Sequence, residues 1–215
     1  LGNQGNVAAL PALEALKDNR LRVSEDGVLI IISESGDEGQ DALTKKQVDL
    51  KSLSLRKPRI NNSVRRVLSA TIGKLQLQSS DPVIRLAAAK QLLKKSSGDL
   101  VALVEKALSK ETNGEIRDIY SLVLAKEGLN SENKQKRLES LKIIREFGDN
   151  DFKDILEGLL RKNNKDEFLE SDPEIRDGAD KALSSIQRRQ FFINQIANLF
   201  YGMSLGSILL LAALG

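Results

Sequence analysis

Asp81-Pro-Val-Ile-Arg-Leu-Ala-Ala-Ala-Lys-Gln-Leu92 and Asp172-Pro-Glu-Ile-Arg-Asp-Gly-Ala-Asp-Lys-Ala-Leu183 decide how this chain folds, and they agree at seven of twelve positions. In each, an Asp whose carboxylate can accept a free backbone N–H stands before a Pro. The missing Pro N–H costs nothing at a first helical position, so each pair reads as an N-cap followed by a helix start. A third stretch, Asn113-Gly-Glu-Ile-Arg-Asp118, keeps the cap, the Ile and the Arg. The three starts are 32 and 59 residues apart, close to one and two helix-pair periods. A helix pair with an apolar stripe it cannot cover alone stacks on its neighbour, which is the logic of a helical-repeat solenoid.

The Asp-Pro-x-Ile-Arg start resembles that of HEAT-like repeats, and the text around it is helical. Asn61 to Ser63 can cap a helix with the stripe Val64, Val67, Leu68, Thr71, Ile72 and Leu75. The helix opened by Asp81 is apolar around most of its girth, which predicts packing on more than one side. Asp99 reads as a cap for Leu100, Leu103, Val104, Ala107 and Leu108. The helix from Asn113 carries Ile116, Ile119, Tyr120, Val123 and Leu124, and Gly128 is placed to end it. Ser131 to Phe147 follows, then Phe152, Ile155, Leu156, Leu159 and Leu160. A polar loop at Asn163 to Ser171 leads to a last stripe of Ile175, Ala179, Ala182, Leu183 and Ile186. The expectation is a mostly α fold: a HEAT-like helical-repeat domain over residues 61–190, a small β-hairpin insertion before it, and one C-terminal transmembrane helix over residues 191–215.

Residues 1–60 read differently. Val7 to Lys17 has Leu10, Leu13 and Leu16 at helical spacing, with Pro11 tolerable in a first turn. Leu21–Glu25 and Val28–Ile32 flank Asp26-Gly27, which fits a two-residue primed hairpin turn. Val28 to Ile32 is apolar on both faces and needs cover from a neighbouring helix. Ser33 to Gln47 is polar and Gly-containing and reads as a loop or flap. Val48 to Leu55 has the character of a third strand.

Composition narrows the chemistry. The 215 residues hold 33 basic and 30 acidic side chains, a net of +3 that is too weak and too mixed to argue for nucleic acid. There is no Cys, no His and no Trp. This removes disulfides, zinc-finger sites, Cys nucleophiles and every site that needs an imidazole. No glycine loop of the phosphate-cradling kind is present. The reading is of a non-enzyme.

The charges stop abruptly. Every one lies at or before Arg189, and Gln190 to Gly215 carries none. Residues 191–215 give a helix of roughly 37 Å, enough for a hydrocarbon core of about 30 Å. Eight of the last 17 residues are Leu, Ile or Phe, worth roughly 2 to 5 kcal/mol towards insertion. Asn194, Gln195 and Asn198 oppose entry but lie at one end, within reach of the headgroups. Gly202-Met-Ser-Leu-Gly206 is a Gly-x-x-x-Gly step, and Gly202 and Gly206 are the candidate contact points for another membrane helix.

Asn198-Leu-Phe-Tyr-Gly-Met-Ser-Leu-Gly-Ser-Ile-Leu-Leu-Leu-Ala-Ala-Leu-Gly215 resembles the opening of the first membrane helix in ABC-transporter permeases of the branched-chain amino acid type. With Leu10-Pro-Ala-Leu-Glu-Ala-Leu16, Asp26-Gly27, Asp41-Ala-Leu-Thr44, Arg59-Ile-Asn-Asn62 and Asp81-Pro82, the chain resembles the N-terminal region of urea permease subunits in that family. The resemblance implies a bacterial inner-membrane protein with residues 1–190 outside the cytoplasm. It implies as partners the membrane, a second permease subunit, ATP-binding subunits and a periplasmic substrate-binding protein, but no nucleic acid. ATP would be used by the partner ATPase subunits, with no cofactor in this chain. Both ends look cut, and the permease core is expected to follow Gly215.

Other candidates are weaker. Arg85, Arg117 and Arg176 recur at one place in three helix starts, beside Asp81, Pro82, Asp172 and Pro173, and are expected to pair with carboxylates and orient the stack rather than to dock a partner. Asp149-Asn-Asp151 lacks the glycine and closing Glu of a calcium loop and reads as a helix cap. Asp37/Glu38 and Asp166/Glu167 sit in polar loops with no apolar pocket to raise a pKa. Asn61-Asn-Ser63 matches a glycosylation acceptor but fits a cap. Arg188-Arg189 before the span favours a cytoplasmic body, against the export that the resemblance implies. The competing reading is a tail-anchored helical-repeat scaffold.

Overall fold

The computed structural model describes residues 7–95 and 98–215, with side chains from residue 101 onward in the second stretch. Among the described residues the chain is mostly helical, with eight α-helices, one five-stranded antiparallel sheet and a long apolar C-terminal helix. The fold divides into two compact units, one ending at Tyr120 and one running Ser121–Gly215.

The first unit opens with a 3-10 turn at Val7–Ala9 and α1 (Leu10–Lys17), with Pro11 in its first turn. Then come β1 (Leu21–Ser24), β2 (Leu29–Ile32), β3 (Gly39–Asp41), β4 (Gln47–Val48) and β5 (Leu55–Arg56), in the order β4-β3-β2-β1-β5. Leu21 stands opposite Ile31, and Val23 opposite Leu29. Ile30, at 1% exposure, is the buried centre of β2, and α1 packs on that strand.

Three expectations for this segment change. The hairpin loop is Glu25-Asp26-Gly27 rather than a two-residue primed turn. Ser24 and Val28 still pair, the Gly27 N–H closes on the Ser24 carbonyl at 3.0 Å, and Gly27 alone has a left-handed φ, +78°. The side chain of Ser24 accepts the Val28 N–H and stabilises the wider loop. The stretch Ser33–Gln47 is not all loop, since it holds β3 and the start of β4. Its strand character is hidden because the residue that points inward is Gly39, buried so tightly that a Cβ there would collide with Leu50. Asp41 turns the chain between those strands by accepting the Leu43 and Thr44 N–H groups at 2.8 and 2.7 Å. These bonds hold its carboxyl below the ordinary value. Val48 to Leu55 is not one strand: a 3-10 turn at Leu50–Ser52, capped by Asp49, separates β4 from β5.

α2 (Asn62–Leu77) is capped by Asn61, whose side chain accepts the Val64 N–H at 2.8 Å. Leu68, Ile72 and Leu75 are buried, but Val64 and Val67 are 42% and 64% exposed, so the stripe faces the core only in its later turns. α3 (Pro82–Lys94) buries Ala88, Ala89 and Leu92, while Val83 is exposed at 72%. Its apolar girth is therefore not fully packed: Ala88, Ala89 and Leu92 face inward with Ile84 beside them, while Val83 and Ala87 face water. α4 is described over Gly98–Leu108; the expected Asp99 cap and Leu100 core position fall on side chains outside the described residues. α2 packs on α1, α3 and α4, with Leu10, Ile72 and Leu75 clustered beside Leu13 and Ile84. α5 (Gly114–Gly128) crosses the boundary between the units.

In the second unit, α6 (Lys134–Phe147) is capped by Asn133, and a 3-10 turn at Asn150–Phe152 leads into α7 (Lys153–Leu159). Gly128 is the last residue of α5, as expected, without the left-handed φ of a glycine cap. It lies against α6, where a Cβ would collide with the Ser140 hydroxyl, so it serves close approach. The last element, α8 (Pro173–Leu214), is a single helix of 42 residues. Its stripe of Ile175, Ala179, Ala182 and Ile186 is buried, and α6 and α7 both pack on it.

Candidate functional site

Each helix start singled out in the sequence is built on an arginine four residues after its cap. Asp81 accepts the Val83 N–H at 2.8 Å, and Arg85 reaches back to donate to the Ser79 and Ser80 carbonyls at 2.8 and 3.0 Å. Asp172 accepts the Glu174 N–H at 2.9 Å, and Arg176 donates to the Glu170 and Ser171 carbonyls at 2.7 and 2.9 Å. Asn113 accepts the Ile116 N–H, and Arg117 donates to the Glu111 carbonyl at 3.0 Å. In each case the guanidinium bonds the connection that leads into its own helix. Pro82 and Pro173 occupy first-turn positions, as their fixed φ allows.

Two carboxylates complete this device, and the sequence reading missed both. Glu111 takes the Arg85 guanidinium in a fork, Nε at 2.7 Å and Nη2 at 2.9 Å, and accepts the Thr112 and Asn113 N–H groups as well. Its side chain is 4% exposed. The hydrogen bond from Arg85 outweighs the cost of burial and holds the Glu111 carboxyl below its ordinary value. In the second unit Arg137 pairs with Glu170, lowering that carboxyl in the same way, and Glu170 also accepts the Asp172 N–H. Arg137 follows Asn133 by four residues, as Arg85 follows Asp81. Each Glu stands two residues before the next cap, in Glu111-Thr-Asn113 and Glu170-Ser-Asp172. That spacing was the available signal. Lys134 adds ion pairs to Asp172 at 3.0 Å and Glu174 at 2.7 Å across the same helix start.

Beside the Arg85–Glu111 pair lies an open groove of about 520 Å³, walled by Leu77, Leu103 and Ala107 and rimmed by Lys74, Lys106 and Lys110. Lys74 and Lys106 lie in the last turns of α2 and α4, where a cation offsets the helix dipole. Tyr120 is fully buried and its hydroxyl makes no hydrogen bond among the described residues. Burial pushes that phenol up to about 12.

The membrane candidate is the far end of α8. An 18-residue stretch of the helix has a mean hydropathy of 1.7 and none of it is buried. Phe191, Phe192, Ile193, Leu199, Phe200 and Leu205 are all more than half exposed. One continuous helix thus carries a packed stripe in its first turns and bare apolar surface in its last, and it is long and apolar enough to cross a membrane. Gly202 and Gly206 have open space beside them. Arg189, the last charged residue, donates to the Arg145 carbonyl at 2.8 Å, to the Gly148 carbonyl and to the Ser185 hydroxyl.

The remaining motifs are local. Asp149 caps the 3-10 turn through the Asp151 N–H, and Asn61 caps α2. Asp37, Glu38, Asp166 and Glu167 are exposed. No group of three or more acidic side chains that could hold a metal ion occurs among the described residues. No protein-family model, curated protein or solved structure matches the chain.

Proposed function

We propose that this chain is a helical body attached to a membrane by α8, and that it forms the N-terminal, extracytoplasmic part of the permease subunit of an ABC importer, with urea as the substrate. The observation that carries the membrane part is α8 itself: its packed turns continue without a break into 25 uncharged residues of exposed apolar surface. Such a surface is stable in lipid and not in water. The importer and its substrate rest on the resemblance of Asn198–Gly215 and of the body. The chain performs no chemistry in this reading, and ATP is used by partner subunits. The body is a HEAT-like stack whose helix starts are fixed by the recurring arginine clamps, and it guides or docks the substrate-binding protein beside the pore. Deleting residues 1–190 from the intact transporter should lower urea uptake while the complex still assembles; unchanged uptake contradicts this role.

Arg188 and Arg189 favour a second reading, a tail-anchored scaffold with its body in the cytoplasm, because basic residues flank spans on that side. The reading frame separates the two. A frame that runs on from Gly215 into further membrane helices supports the permease, and a stop codon supports the scaffold.

A further inference from the structure

We propose that the turn between α6 and α7, Phe147 to Asn150, rests on the membrane surface, with Phe147 in the interfacial layer of the lipid and Arg145 and Arg188 bonded to lipid phosphates. This inference rests on the reading of residues 191–215 as a membrane span.

The clamp by Arg189 sets the geometry. Its guanidinium holds the carbonyls of Arg145 and Gly148, and the Ser185 hydroxyl donates to the Arg145 carbonyl at 3.1 Å. The end of α6 is therefore level with the last charged residue of α8. From Arg189 to Phe191 the helix rises only about 3 Å. A bilayer entered at Phe191 must have its headgroups at the height of the turn.

The side chains there suit that position. Phe147 is 38% exposed, large and apolar, at the tip of α6. Phe191 and Phe192, edge to face with ring centroids 6.0 Å apart, stand at the same end of the apolar segment. Phe, with Trp and Leu, forms the apolar face of helices that lie in the bilayer interface. Arg145 and Arg188 are exposed, and a guanidinium fork matches a phosphate. Ile193 lies one turn beyond Arg189 on the line of Ile186, with Gln190 and Asn194 hydrogen-bonded to each other beside it, so the helix side beneath the turn mixes apolar and amide groups as an interfacial layer does. Glu146, Asp149 and Asp151 balance Arg145, Arg188 and Arg189, three against three. Ring insertion and arginine–phosphate bonds, not net charge, therefore make the contact, and it should form on zwitterionic lipid.

The chain has no Trp, so one introduced indole is a clean reporter. The whole chain is reconstituted in phosphatidylcholine vesicles brominated near the top of the acyl chains, as F147W, F192W and L169W in turn. Leu169 is exposed and precedes α8, whose start lies about 24 Å along the axis from Arg189. The expected result is strong quenching of F192W, quenching of F147W to about half that extent or more, and none of L169W. If F192W is quenched and F147W, with native circular dichroism, is not, the span stands and the surface contact is overturned. Quenching of all three equally would also overturn it, since the body would lie flat on the lipid. If F192W is not quenched, the span itself fails and this inference with it.

Discussion

Glu111 shows how much a single side chain can organise. It accepts two guanidinium N–H groups from Arg85 and two backbone N–H groups at the entrance to α5, in a setting where its side chain is almost fully buried. Removing one partner of such a pair strands the other, at about 3 kcal/mol. Glu111→Ala should therefore lower stability by about that amount. In a double-mutant cycle with Arg85→Ala, the double variant should cost clearly less than the sum of the singles, read from urea unfolding of the first unit in the intact chain. The same bond gives a pH dependence of fixed sign. The folded carboxyls of Glu111 and Glu170 lie below the ordinary 4.5. Their contribution is complete above that value and is lost as pH falls through the lower folded values. Unfolding midpoints should drop steeply with acidity below about pH 4.5, and Glu111→Gln with Glu170→Gln should flatten that limb. Tyr120 is the opposite case. Its buried hydroxyl has no hydrogen bond among the described residues, so Tyr120→Phe should leave the thermal midpoint unchanged or raised, within about 1 kcal/mol. The repeated local motif made the positions of Arg85, Arg117 and Arg176 legible, and Arg85 takes the carboxylate partner expected of it, whereas Arg176 bonds the Glu170 and Ser171 carbonyls of its own entry segment instead. The pairing of Glu111 and of Glu170 was not legible, because they bond arginines 26 and 33 residues away; their shared place two residues before a cap marks the positions but not the partners.

At the scale of elements, local chemistry that completes itself within a few residues was readable, and chemistry completed by a neighbour was not. The Asp81-Pro82 and Asp172-Pro173 starts and the Asn61 cap depend on adjacent residues and were found where expected, and β1 pairs with β2 one residue out of the register that a two-residue turn implies. β3 escaped notice because Gly39 faces inward, and the second role of Gly128, close helix approach, escaped notice because it is set by Ser140 on α6. The seam between α6 and α8 follows the same rule. Gly178, with Ala179 and Ala182, lets the helices approach, and a Cβ on Gly178 would already meet Leu141 at 2.9 Å. Gly178→Leu should push the helices apart and destabilise the second unit by about 2 kcal/mol. Unfolding of the intact chain in detergent checks this, with Asp177→Ala as the exposed neighbouring control.

For the whole molecule, the decisive feature is the change of environment along α8. The sequence marks that change as the end of charge at Arg189, and the fold adds that helix geometry continues through it. The uncharged apolar stretch and its length were thus legible, whereas its continuity with the packed helix before it and the division of the packed residues into two units were not, since they depend on geometry and long-range contacts that periodicity does not encode. The absence of Cys makes a direct test available. Ser184→Cys in the packed part of α8 and Ser207→Cys in the apolar part are reconstituted separately in lipid vesicles and treated with a membrane-impermeant maleimide, before and after detergent. A membrane span predicts that Ser184→Cys with its body on the outer face reacts at once, while Ser207→Cys reacts only after detergent. Equal labelling of the two positions in intact vesicles would contradict the account at its centre.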